Sequence, residues 1–128
     1  MTLNDPTIMA EIQEIFALYE KALAENDIAT LDALFDASPQ TVRYGVGENL
    51  YGAEEIAAFR RARPGGSPPR QVLRTAIATY GRDFATTNIE FKRVGGDVIG
   101  RQSQTWVRTP AGWRIVSAHV SLMGRREG

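Results

Sequence analysis

Cysteine is absent from this 128-residue chain, and with it go disulfide scaffolds, thiolate nucleophiles, iron–sulfur ligation and cysteine zinc sites. Histidine is nearly absent as well. His119 stands alone, so the two- and three-histidine catalytic zinc sites cannot be built within one chain. No apolar run approaches the ~20 residues a membrane span requires. The N-terminus lacks the basic-then-apolar order of a secretory signal, so no membrane association and a cytoplasmic location are expected. Walker loop, dinucleotide fingerprint, nucleophile elbow and metal-ligand spacing are all missing. The expectation is chemistry with no cofactor and no metal.

Net charge is zero, but its distribution is uneven. Residues 1–55 hold eleven Asp/Glu and only Lys21 and Arg43 as cations, whereas residues 56–128 hold thirteen Lys/Arg and four acids. The two halves attract each other, and an acidic layer packed beside a basic one accounts for the pattern. No aromatic-rich RNA motif or zinc finger accompanies the basic half, so nucleic acid is set aside as a partner. Thirteen of the fifteen cations are Arg, the side chain suited to gripping planar carboxylates with two parallel hydrogen bonds.

Asp5 followed by Pro6 is an N-cap followed by a proline at the first helical position. Ile8, Ile12, Ile15, Phe16, Tyr19 and Leu23 then recur at spacings of three and four, which predicts a helix with one buried stripe. Asn26 and Asp27 end this helix and cap a second, in which Ile28, Leu31, Leu34 and Phe35 share a face as far as Pro39. From Gln40 the pattern is strand-like through Thr41, Val42 and Tyr44, and glycines 45, 47 and 52 mark turns around Asn49, Leu50 and Tyr51. A third helix follows Gly52, with Glu54 and Glu55 in its first turn and Arg60, Arg61 and Arg63 in its last, as the helix dipole favours. Residues 64–69, Pro-Gly-Gly-Ser-Pro-Pro, form a loop. The remainder reads as four long strands, about Arg70–Tyr80, Phe84–Arg93, Val98–Thr109 and Trp113–Met123, joined by short turns into an antiparallel meander. Helices first and strands last imply a single α+β domain over residues 1–128. Three N-terminal helices pack on a strongly curved, mostly antiparallel sheet to form a cone. The tail Gly124–Gly128 is charged and expected to be loose.

A helix layer against a curved sheet leaves a conical cavity, and a polar residue on an apolar helix stripe is a natural lining group. Tyr19 fits that description, either as a core tyrosine bonded to a backbone carbonyl or as a donor to a ligand. Arg43 alternates with Thr41 on the first strand. If it points inward it needs an anion, supplied by the chain or by a ligand. Gln102, Gln104 and Trp106 share one strand face, as a small-molecule wall or a wet dimer interface would arrange them. His119 joins Gln102 and Gln104 if residues 108 and 113 pair across the last turn, and faces away if the register differs by one.

The layout of three helices and a meander ending in Gly112–Val116 and Ala118–Ser121 resembles the SnoaL-like and ketosteroid-isomerase-like superfamily, whose fold is also called cystatin-like. On the isomerase pattern Tyr19 matches the oxyanion tyrosine, and Phe35 and Arg60 match pocket-wall tyrosines. Arg43 occupies the place of the general-base aspartate, and Gln104 falls about where a second acid lies. A guanidinium cannot shuttle a proton between carbons, so steroid isomerisation is not expected.

A closer similarity is to the AtzH-like family, which includes the 1-carboxybiuret decarboxylase of cyanuric acid breakdown and relatives associated with oxalurate catabolism. It is carried by Thr41–Gly45, Glu48–Gly52, Ala58–Arg60, Gly81–Thr86, Gly100–Arg108 and Ala118–Met123. The resemblance implies a cofactor-independent decarboxylase of a small N-carboxyurea-type acid, with Tyr19 and Arg43 as the active pair. Around them Arg60, Asn49, Gln102, Gln104, Trp106, Phe35 and His119 would bind a small carboxylate substrate. The alternatives are a binding module of the same fold that does no chemistry, or an enzyme acting on an oxalurate-like ureido acid. Curved sheets of this kind often bury their outer face in a two-fold contact, so a homodimer is expected.

Overall fold

The computed structural model describes residues 1–124, so the expected loose tail Gly124–Gly128 lies, apart from Gly124, outside the described residues. Helix α1 runs Pro6–Glu25, with Asp5 accepting hydrogen bonds from the amides of Thr7 and Ile8 and Asn26 closing the helix in the left-handed region. Its stripe of Ile8, Ile12, Phe16, Tyr19 and Ala22 is buried. Helix α2 spans Ile28–Leu34 behind its Asp27 cap. It stops short of the expected Pro39, because Phe35 is extended and bridges Ile115 while the Asp36 amide donates to the Ile115 carbonyl. Pairing with the sheet takes Phe35 out of the helical pattern that its apolar spacing suggested. Helix α3, Ala53–Ala62, follows Gly52, whose φ of 88° suits glycine.

Among the described residues six strands form one sheet: β1 Val42–Tyr44, β2 Asn49–Tyr51, β3 Arg70–Tyr80, β4 Phe84–Arg93, β5 Ile99–Thr109 and β6 Gly112–Leu122. Their order is β2-β1-β6-β5-β4-β3. The last four make the expected antiparallel meander. Residues 49–51, read from the sequence as part of a turn region, form a short strand antiparallel to β1. Strand β1 runs parallel to β6 and sets Arg43 beside Ala118, which is buried, and Tyr44 beside His119. Because successive strand residues face opposite sides, Arg43 is on the helix-covered side and Tyr44 on the outer side. Among the described residues no helix is long and apolar enough to cross a membrane.

The core lies between α1 and the concave face of the sheet. Ile8, Ile12 and Phe16 pack with Leu31, Leu34 and Ile56 against Ile89, Phe91, Trp106 and Ile115. The charge asymmetry of the chain reappears as ion pairs joining its halves: Glu11 to Arg108, Glu20 to Arg70, Asp32 to Arg60 and Glu48 to Arg63. Trp113, with its ring under the Arg108 guanidinium, also donates to Glu11. These two donors draw the Glu11 carboxyl below its ordinary value, the Trp113 bond most.

Gly100 pairs with Phe91 across β4 and β5, and a Cβ at position 100 would sit 2.2 Å from the Phe91 ring. Since Phe91 is 2% exposed, its ring has little room to yield. Gly100→Ala is expected to destabilise the fold by about 1–3 kcal/mol through overpacking. Urea unfolding measures this; a midpoint equal to that of the parent would mean that the ring moves freely.

Candidate functional site

Where α1 and the loop after α3 stand over the concave sheet, a cavity of about 360 Å³ opens. Tyr19 and Leu23 of α1, Arg43 of β1, Arg63 at the end of α3, loop residues Gly66, Ser67 and Pro68, and Arg70, Phe91, Gln102 and Val120 of the sheet are among its lining. These residues come from both halves of the chain. The inward face of the sheet brings them into register: Arg43, Ala118 and Gln104 form one row across β1, β6 and β5, with Val120 and Gln102 in the next.

Tyr19 is 6% exposed. Its ring lies 6.4 Å from that of Phe16 and 6.5 Å from that of Phe35. Burial holds its phenol above the ordinary value near 10; the charges of Arg70, Arg43 and Arg60 oppose that shift and Glu20 adds to it. The group therefore remains a neutral proton donor at neutral pH, and its conjugate base would face three guanidinium charges.

Among the described residues, four guanidinium groups, those of Arg43, Arg63, Arg70 and Arg93, border the cavity with a single carboxylate, Glu48. Arg43 Nη1 donates to Glu48 Oε1 at 3.0 Å, and Arg63 Nη2 lies 3.7 Å from the same oxygen. Both guanidinium groups also lie over the Phe59 ring, at 5.6 and 4.8 Å. The Arg43 side chain is only 15% exposed, so its charge is not dissolved in bulk water. Burial first, and then the neighbouring Arg43 charge, lowers the proton affinity of Arg63, with Glu48 acting against them. Arg70 Nη2 is held by both oxygens of Glu20, at 2.9 and 2.8 Å. Arg93 forms no ion pair among the described residues. The cations thus outnumber the carboxylates, Glu20 included, and a guanidinium cannot shed its proton to relieve the imbalance.

The remaining candidates from the sequence divide. Gln102 lines the cavity. Gln104 is buried, accepting from Thr87, which in turn accepts from Trp106 Nε1. Trp106 is completely buried in that chain of bonds and belongs to the core rather than to the cavity wall. Phe35 is buried between Tyr19 and the Arg60 guanidinium, which lies 5.1 Å over its ring and pairs with Asp32. Arg60 borders a small side recess with Leu31, Ile56 and Phe59. Asn49, grouped with the binding residues from the sequence, is exposed at the sheet edge and does not line the cavity.

His119 is a further correction. Residues 108 and 113 do pair, yet His119 stands opposite Ser103, because β6 carries one extra residue, Val116, between the pairs Thr105–Ser117 and Trp106–Ile115. That bulge turns the rest of the strand over. His119 faces outward, with its ring 5.7 Å from that of Tyr44, whose hydroxyl meets that of Tyr51. The sequence reading did not single out Arg63, Arg70, Arg93, Glu48 or Glu20 as site residues. The available signal was the density of arginine around the Pro-Gly loop. Among the described residues no group of three or more His, Asp or Glu is placed to hold a metal ion.

The AtzH-like family model matches residues 1–126. Among solved structures, a protein of unknown function from Pectobacterium atrosepticum is 55% identical over 95% of each chain, with a TM-score of 0.92. A cystatin-like fold protein from Burkholderia xenovorans is 46% identical over 98% of this chain and 99% of its own, with a TM-score of 0.93. A nuclear transport factor 2-like superfamily protein from Salmonella enterica is 27% identical over 95% of each chain, at 0.75. No curated protein matches the chain. With the cystatin-like architecture found throughout and the family model covering nearly every residue, the chain belongs to the AtzH-like family.

Proposed function

We propose that this protein is a cofactor-independent carboxy-lyase releasing carbon dioxide from a small N-carboxyurea-type acid such as 1-carboxybiuret. One observation carries the reading: a buried neutral phenol, Tyr19, and a surplus of arginine charge share a single cavity. Loss of carbon dioxide from such an acid breaks the bond between nitrogen and the carboxylate carbon. The bonding pair stays on the nitrogen and delocalises onto the adjacent carbonyl oxygens, while neutral carbon dioxide departs. Negative charge therefore moves from the carboxylate into the ureido group during the reaction. Guanidinium groups set against the ureido oxygens follow that charge and lower the barrier, whereas any held only on the carboxylate favour the ground state. Arg43 and Arg63, drawn together by Glu48, form a fork of planar donors suited to oxygen pairs. Tyr19 supplies the proton that the leaving ureide requires. The same arginines steady the phenolate until solvent returns a proton.

A second acid class also suits the cation surplus. An oxalurate-like ureido acid presents a carboxylate next to a carbonyl, and turnover assays on both kinds of substrate separate the two. A module that only binds would take up either acid and release no carbon dioxide. We further propose a two-fold dimer through the outer face of the sheet, supported by the exposure of Phe84 there; light scattering should return twice the chain mass.

Tyr19→Phe should reduce kcat for carbon dioxide release from freshly generated 1-carboxybiuret by about 10²- to 10⁴-fold, as loss of a positioned acid does, with KM little changed. Arg43→Ala should raise KM as well as lower kcat. Parental rates in both variants would remove the assignment. The pH profile carries a separate expectation. A phenol with a raised pKa is fully protonated below its ordinary value of about 10 and is lost as a donor only as pH climbs through the folded value. The alkaline limb of kcat should accordingly lie above pH ~10; a limb falling near neutrality would assign the proton to another group.

A further inference from the structure

We infer that Gln102 determines specificity in the cavity by presenting only hydrogen-bond donors to the ligand, and that Arg70 is the positioning residue that commits it to that role. A glutamine amide can offer either its oxygen or its NH₂, and a half-turn exchanges them. Here the choice is forced. Arg70 Nη1 donates to Gln102 Oε1 at 3.0 Å, and a guanidinium has no acceptor that could satisfy the other end of the amide. Arg70 cannot easily swing away, since both Glu20 oxygens hold it and its guanidinium lies 4.7 Å over the Phe91 ring. Glu20, Arg70 and Gln102 thus form a polarised chain from α1 to β5.

The chain leaves a donor stranded. Gln102 is 2% exposed, lines the cavity, and its Nε2 has no hydrogen-bond partner among the described residues. A buried unpaired donor is a costly feature that an acceptor on a bound molecule would relieve. Arg43, Arg63 and Arg93, which line the same cavity, also offer donors only, and the single lining carboxylate is engaged by two of them. The cavity therefore selects an occupant rich in acceptor oxygens, a carboxylate together with a ureido carbonyl, over a molecule of the same shape with a nitrogen donor in the carbonyl position. This deepens the ureido-acid reading proposed above and rests on it for the ligand class.

The test uses two unreactive probes that differ at that position: N-carbamoylglycine, with a ureido carbonyl, and guanidinoacetate, with an amidinium nitrogen in its place. Calorimetry on the intact protein should show N-carbamoylglycine binding at least tenfold more tightly. Gln102→Glu keeps an acceptor for Arg70 but replaces the donor with oxygen, and should narrow that ratio by about tenfold. Arg70→Met, which frees the amide to turn, should narrow it too, and Arg70→Lys, which still donates to Oε1, should largely restore it. Gln102→Glu and Arg70→Met also lower the cavity charge by one unit, which by itself eases the repulsion of the guanidino probe, so the deciding variant is the charge-neutral Gln102→Met, which removes the donor and should narrow the ratio as well. If a variant does not fold, the through-bond-assigned Gln102 side-chain amide in the parent protein replaces it, moving downfield with N-carbamoylglycine and not with guanidinoacetate. A ratio unaltered by Gln102→Met, an amide resonance indifferent to the ureido probe, or no binding of that probe would overturn the inference. Neither probe can lose carbon dioxide, so a protein that discriminates between them yet leaves carboxybiuret intact would sink the decarboxylase reading alone.

Discussion

Arginine charge gathered around one partly enclosed cavity, in excess of the carboxylates that could cancel it, is the constraint from which the rest follows. A lysine in such a place could lose its proton as it is desolvated. An arginine cannot, so the cavity remains cationic at any pH the protein meets. Burial first, and then the Arg43 charge, depress the proton affinity of Arg63, while Glu48 opposes them. An arriving anion relieves the repulsion between these guanidinium groups. The same field acts on Tyr19 in two directions, because desolvation keeps the phenol neutral while the surrounding guanidinium groups stabilise what remains once it has given up its proton.

The fold is the means of gathering those charges without binding them all internally. Strand β1 lies parallel to β6 and puts Arg43 on the concave face. The Pro-Gly loop after α3 brings Arg63 and then Arg70 to the mouth of the same cavity. On the far side α1 contributes Tyr19 and, one residue on, Glu20. Adjacent residues of a helix point about 100° apart, so Tyr19 lines the cavity while Glu20 reaches Arg70. One helical step thus supplies both the proposed proton donor and the anchor of the amide chain.

Much of the architecture was legible because its signals are local. Asp5-Pro6, the three-and-four spacing in α1 and the glycine turns between long strands state their elements within a few residues, and the meander follows. What failed was non-local. The end of α2 is decided by Ile115, some eighty residues away, and the apolar Phe35 fits a helix face and a sheet contact equally well. The orientation of His119 depends on the bulge at Val116, where two residues on one strand face one on its partner. Nothing in Ile115-Val116-Ser117 distinguishes a bulged step from a regular one. Tyr19 and Arg43 could be singled out because each breaks a pattern: a phenol on an apolar stripe and a lone cation on a strand of the acidic half. Arg63 and Arg70 break none, as basic residues are ordinary at the end of a helix and beside a proline-rich loop, and the partners of Arg70, Glu20 and Gln102, lie far off in the chain.

If Arg43 takes the place that the resemblance to steroid isomerases gives to an acid, the logic of that chemistry is inverted. A carboxylate beside a buried phenol in that cone can take a proton from carbon and return it. A guanidinium beside the same phenol has no lone pair with which to accept a proton, but it can hold an anion and let the phenol act as a donor only. Glu48 tempers this arrangement. By sitting between Arg43 and Arg63 it cancels one charge and fixes the spacing of the other two groups, so the fork exists before any ligand arrives. A fork assembled in advance loses less freedom on binding, and one already part-neutralised grips an anion less tightly than two bare guanidinium groups would. Moderate grip is what a decarboxylation requires: charge must leave the carboxylate carbon, and too firm a hold on the starting acid would deepen the ground state without assisting the step that follows.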